Sequence, residues 1–217
     1  MRDIAAEYGW VPAGARPHVL IPVRAPEFVA ACAAAVAAWR HHDWGQWLRL
    51  LDDDHLHITL AWADRPCDTL TEADRAALRE AGQDHVGDVD PFQLLLGQAR
   101  EVTYGIELDV DPAADAQIAD LAARCRRAVG AVLGLDAVPM PDRWTYPHVA
   151  LGYGRRTGPS DGLAGWLAHA RTTAGARPQR VRWPVTDVVL VDADTFALGG
   201  PLWSRPVTIR LGRGTWR

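Results

Sequence analysis

The stretch "HLHITL" at residues 55–60 sets His55, His57 and Thr59 at alternate positions among Leu56, Ile58 and Leu60. Side chains of a β-strand alternate between its two faces, so a strand here would project both imidazoles and the hydroxyl together while the aliphatic residues face the core. Such a face serves one of three ends: metal ligation, proton transfer at an active site, or solvation of the outer side of a half-buried sheet. A second run of the same kind lies far along the chain, where His148 heads "HVAL" at 148–151. Two imidazoles facing each other suit phosphodiester displacement, because a neutral histidine takes a proton from the attacking oxygen while a protonated one gives a proton to the leaving oxygen. A hydroxyl two residues after the histidine would reach a non-bridging phosphate oxygen. Thr59 supplies it after His57, but the corresponding residue after His148 is Ala150.

Further residues near the two runs widen the choice. Trp144 and Tyr146 precede His148 at alternate positions and Trp62 follows the first run. Each could stack a nucleobase, a contact of about 1–3 kcal/mol, although core packing is the commoner fate of tryptophan in a chain with ten of them. Tyr153, Arg155 and Arg156 follow the second run and are candidates to bind phosphate, the arginines as bidentate donors. A zinc site built from His55, His57 and His148 stays open, with no Cys, Asp or Glu at ligand spacing to complete it. Asp52, Asp53 and Asp54 read as the charged run of a loop.

"HITL" and "PHVALGY", about 90 residues apart in this order, resemble the paired H-x-[ST]-x motifs of the 2H phosphoesterase superfamily, particularly its bacterial 2′-5′ RNA ligase-like and cyclic phosphodiesterase branch. The resemblance extends over nearly the whole chain: an N-terminal strand, the first motif, the "PFQLLLG" strand, the long helix after "VDP", the second motif preceded by proline, and a closing pair of strands. It implies that His57 and His148 are the catalytic histidines, acting on 2′,3′-cyclic or 2′-5′-linked phosphates at a nucleotide or RNA end, with no metal or other cofactor. It implies that Thr59 is the first phosphate-binding hydroxyl, and it leaves His55 in a solvated or supporting role. Ala150 departs from the pattern. A hydrogen bond to a charged group is worth about 1.5–3 kcal/mol, so its loss in a transition state would slow a reaction roughly ten- to a hundredfold. Backbone N–H groups, Tyr153 or Arg155 would have to substitute, and a nucleotide- or RNA-end-binding module without catalysis is the alternative.

Composition narrows the classes. All 23 basic residues are arginine, which excludes a lysine–adenylate ligase, a P-loop lysine and Schiff-base chemistry. Three widely spaced cysteines, Cys32, Cys67 and Cys125, form no C-x-x-C pair and read as small core hydrophobes. Net charge is −4, but residues 1–140 carry 12 Arg against 22 acids and residues 141–217 carry 11 Arg against 5. An anionic ligand is therefore drawn to the C-terminal part, whereas a long duplex would need a broader basic surface. With no apolar run of membrane-spanning length and no basic, apolar leader in "MRDIAAEYGW", the expectation is a cytoplasmic protein that does not enter a membrane.

The elements that must position the histidines follow from periodicity. Strands are expected over 18–24, 55–62, 92–98, 102–110, 148–154, 185–193 and 205–212. Helices are expected over 26–40, from Thr71 onward, over 112–134 with proline at the start and Gly134 at the stop, and over about 160–173. "HHDWGQWLR", "DRPCDTL" and "PQRVRWP" read as connections. This order predicts an α+β fold of antiparallel sheet with helices outside. Strand, helix and His-bearing strand occur twice, over 18–62 and 102–154, so residues 1–217 are expected to form one bilobal domain. Its two pseudo-symmetric lobes would bring His57 and His148 together across a central groove.

Overall fold

A computed structural model describes residues 14–24, 48–51, 53–103, 105–139, 147–154, 181–194 and 203–212. Nine strands run through them: β1 (Arg16–Pro22), β2 (Leu48–Leu50), β3 (His57–Trp62), β4 (Phe92–Val102), β5 (Gly105–Val110), β6 (His148–Gly154), β7 (Val181–Val185), β8 (Asp187–Ala193) and β9 (Trp203–Arg210). Two α-helices accompany them, α1 (Glu72–Val86) and α2 (Asp115–Leu133). One sheet has the order β3-β1-β8-β9 and the other β2-β6-β5-β4-β7, with every described pairing antiparallel. The order β3-β1-β8-β9 matches β6-β5-β4-β7, so the His-bearing strand holds the same place in each lobe and β2 is added beside β6. This is the expected α+β architecture.

The helices form where their sequences dictate. Thr71 caps α1 in a capping box: its hydroxyl accepts from the Asp74 amide at 3.1 Å while the Asp74 carboxylate accepts from the Thr71 amide at 2.9 Å. α2 begins three residues later than its periodicity suggests, because Pro112–Ala114 forms a 3-10 turn capped by Asp111. Its inner face is the expected one, with Ile118, Leu121, Ala122 and Cys125 buried, and Gly134 ends it with φ +92°. The two helices pack on each other, α2 lies against β3, and α1 lies against β9. Arg75 on α1 ties the β8 residue Asp192 (2.7 Å) to the carbonyl of Cys67 (2.8 Å). Cys67 and Cys125 are buried, as small hydrophobes would be.

Several boundaries move. Residues 48–49 and 181–184 lie in segments that read as connections, yet they belong to edge strands, β2 on β6 and β7 on β4, and Val185, expected to open the next strand, ends β7 instead. Pro184 argues against a central strand, and an edge tolerates it because one side of that strand needs no donors. The run expected over 102–110 is cut by a turn, so residue 102 ends β4 and the strand restarts at Gly105. His55 is not on β3 at all: Asp53–His55 form a 3-10 turn in front of it. Cys32 and the helices expected over 26–40 and 160–173 lie outside the described residues.

The crossing between sheets is short. Leu48–Leu50 pair with Gly152–Gly154, the Leu51 amide donates to the Leu151 carbonyl at 2.9 Å, and His57 opens β3 of the other sheet six residues later. β3 and β6 are in contact as a result. Gly105 is needed on the far side of β6, since a Cβ there would overlap the Gly152 carbonyl. Gly105→Ala is therefore expected to destabilise the protein by roughly 2 kcal/mol, read as a lower urea midpoint with an unchanged slope.

Candidate active site

Residues directly opposite each other in antiparallel strands project from the same face. His18, Leu20 and Pro22 of β1 stand opposite Trp62, Thr59 and His57 of β3. A register shift between Val19 and Leu20 lets Trp62, three residues after Thr59, share the face with it. On the other side of β1, Val191 and Val189 of β8 oppose His18 and Leu20, and Ala193 opposes Trp203 of β9. One face of this sheet thus has an apolar floor of Leu20, Val189, Val191 and Ala193, against which Trp203 packs. His57, Thr59, Trp62 and His18 stand along it.

His57 is held closely. It is 8% exposed, and its Nδ1–H donates to the His55 carbonyl at 2.7 Å. A carbonyl can only accept, so the proton of the neutral ring is on Nδ1 and Nε2 carries a free lone pair. Trp203 meets the rings of both His57 (4.9 Å) and His55 (5.0 Å) edge to face. Burial pushes the His57 imidazole down from 6.5 to about 4, opposed by the bond to His55, and the charges of His18, His148 and His55 when protonated add to the downward shift. His57 and His148 therefore lie within electrostatic reach of each other. Although His55 is off the strand, its carbonyl orients His57 and its ring shares Trp203.

His18 repeats this arrangement. Its Nδ1–H donates to the Arg16 carbonyl at 3.0 Å, its ring stacks on Trp62 at 6.1 Å and 18°, and burial lowers it from 6.5 to about 4. The sequence reading passes over it, since one polar residue heading an apolar strand marks nothing until the pairing of β1 with β3 is known.

On the second sheet, Asp109 and Glu107 of β5 stand opposite His148 and Ala150 of β6, so these four side chains share a face. His148 is 36% exposed, with Nε2 3.4 Å from an Oε of Glu107, which is 2% exposed. Arg100 on β4 reaches Glu107 at 3.9 Å and Asp109 at 2.9 Å. The sequence reading misses these acids too, although "GIELDV" places them at alternate positions. Ala150 is buried; Tyr153 is partly buried and packs against the main core. Trp144, Tyr146, Arg155 and Arg156 lie outside the described residues. Among the described residues no three of His, Cys, Asp and Glu are grouped to hold a metal ion, and no helix is long and apolar enough to cross a membrane.

Two antiparallel sheets of matching strand order, with a histidine opening the equivalent strand of each, are the arrangement expected of the 2H phosphoesterase class. The sequence profile of the 2′-5′ RNA ligase superfamily matches residues 28–195, and the chain belongs to that superfamily. Among solved structures it is similar to TT0787 of Thermus thermophilus, with 20% identity, 91% of this chain and 98% of that one covered, and a TM-score of 0.60. Escherichia coli LigT in complex with 3′-AMP is similar at 17% identity, with the same coverage and a TM-score of 0.61. LigT in complex with NADP+ is similar at 16% and 0.60, again with 91% of this chain and 98% of that one covered. No curated protein sequence matches the chain.

The two buried histidines set a pH dependence of stability. Their folded-state values lie below the unfolded one, so their contribution is complete above pH 6.5 and is lost as pH falls toward about 4. His18→Phe removes one of the two groups. Chemical denaturation at pH 7 and pH 4.5 should show wild type losing roughly 2 kcal/mol more than the variant over that interval.

Proposed function

We propose that this protein is a metal-independent phosphoesterase acting on a 2′,3′-cyclic phosphate or a 2′-5′-linked nucleotide or RNA end, with His57 as general base and His148 as general acid. The reading is carried by the difference between the two imidazoles. His57 is buried and neutral at physiological pH, with its proton committed to a carbonyl and Nε2 left as an acceptor. His148 stands half exposed with Nε2 3.4 Å from the buried Glu107 carboxylate, an acceptor that orients its ring through an Nε2–H.

In hydrolysis of a cyclic phosphate, His57 Nε2 takes a proton from water as the water oxygen bonds to phosphorus. The bond from phosphorus to one ribose oxygen breaks, and His148 gives its proton to that oxygen. Thr59, two residues along the same strand face, donates its hydroxyl to a non-bridging oxygen. Ligation is this sequence reversed, with a ribose hydroxyl in place of water and no ATP, which accords with a chain that has no lysine. The stacked pair of Trp62 and His18 offers a flat surface beside Thr59 for a base. One structural relative, LigT, is known in complexes with 3′-AMP and with NADP+, which supports a nucleotide as the ligand class. Ala150 favours a second reading, a nucleotide- or RNA-end-binding module that keeps the groove without turnover.

Incubation with 2′,3′-cyclic nucleotides in the presence of a chelator separates the two. Turnover that falls about a hundredfold or more in His57→Ala and in His148→Ala supports the enzyme; binding without turnover supports the module. For the enzyme, kcat/KM should fall as pH drops through about 4, where His57 takes up its proton, well below the 6.5 of an ordinary histidine. A bound phosphate favours the protonated ring, so the same limb in kcat should lie at higher pH.

A further inference from the structure

Glu107 lies on the groove face, yet no motif leads to it. Its carboxylate is buried, faces His148 Nε2 and is held from the other side by Arg100. It stands directly opposite Ala150, so to reach His148 two residues along β6 it crosses diagonally over position 150. Alanine leaves that path open. A serine or threonine there would stand in it and would offer its O–H to the nearer acceptor, which is the carboxylate. The unusual Ala150 and the buried Glu107 are thus two halves of one arrangement.

We propose that Glu107 is a positioning residue for His148, and that Ala150 is the residue that admits it. The carboxylate accepts a hydrogen bond from Nε2–H and fixes the ring plane, so that the proton His148 delivers to the leaving oxygen is carried on Nδ1. Arg100 keeps the carboxylate in place by binding it and its neighbour Asp109, and His57 on β3 lies within electrostatic reach of the same imidazole. The restraint comes from a strand neighbour on β5. A phosphate-binding hydroxyl at position 150 is given up for it. This inference rests on reading His148 as an active-site imidazole.

The test combines kinetics on 2′,3′-cyclic nucleotides with nitrogen-15 spectroscopy of the histidine rings at neutral pH. Glu107→Gln keeps the shape and removes the charge. The expected result is a kcat lower by about tenfold with KM within about twofold, together with moved ring-nitrogen signals of His148. Ala150→Ser and Glu107→Gln should not act independently, the double variant departing about threefold or more from the product of the single effects. A raised KM with unchanged kcat, independent effects, or unmoved His148 signals would overturn the proposal. If wild type turns over no cyclic nucleotide while the His148 signals still move, the phosphoesterase reading falls and the pairing of Glu107 with His148 stands.

Discussion

The bond from the Leu51 amide to the Leu151 carbonyl ends a short ladder that makes the site possible. A groove between two sheets needs its walls set to within a fraction of a side chain, and packing of apolar faces alone tolerates sliding. Here the backbone supplies the register. β2 pairs with β6, and six residues after Leu51 the chain enters β3 of the other sheet at His57. Since β6 begins at His148, the same covalent segment fixes both histidine strands relative to each other. The Asp53–His55 turn that makes the crossing also presents the carbonyl that holds His57. Position and tautomer therefore come from one piece of chain.

Burial differs between the two lobes, and chemistry follows from that difference. The His57 face is lined by Leu20, Val189, Val191 and Ala193 with Trp203 over it, so charge on the ring is costly. The His148 face carries Arg100, Glu107 and Asp109, so charge there finds partners. Two identical side chains on strands in equivalent places thereby meet different surroundings, which is what the proposed division into base and acid needs. Pseudo-symmetry of backbone does not impose symmetry of function, because the floor residues come from β1 and β8 in one lobe and from β4 and β5 in the other.

Much of this was legible in the sequence, and the limits have physical causes. β3 and β6 show as alternating runs, α1 announces itself by Thr71 and Asp74, and the buried face of α2 follows from its 3.6-residue period. These are local signals. β2 and β7 escape such a reading because three residues before a charged turn, and five containing Pro184, carry too little pattern to register as strands. His55 reads as a strand residue because a 3-10 turn and a strand both accept the spacing H-x-H. His18 and Glu107 join these faces only through pairing with strands far away in the chain, and Trp203 through ring contacts with His55 and His57, none of which is written in any one segment.

The position two residues after the second histidine shows how a local departure is absorbed. Alone, alanine at 150 removes a donor from a site that must bind an anion, a loss of roughly 1.5–3 kcal/mol where the bond acts on charge. In the folded protein the same methyl sits opposite a buried glutamate that an ion pair with Arg100 helps to stabilise. A buried carboxylate without partners would be far more costly than one missing hydrogen bond, and Glu107 has Arg100 and His148 among its partners. On the proposed reading, the wall that lacks a hydroxyl for the phosphate has instead a carboxylate beside the His148 imidazole. Thr59 keeps a side-chain hydroxyl on the β3 face that carries His57, so on the proposed reading one wall holds the phosphate and the other delivers the proton.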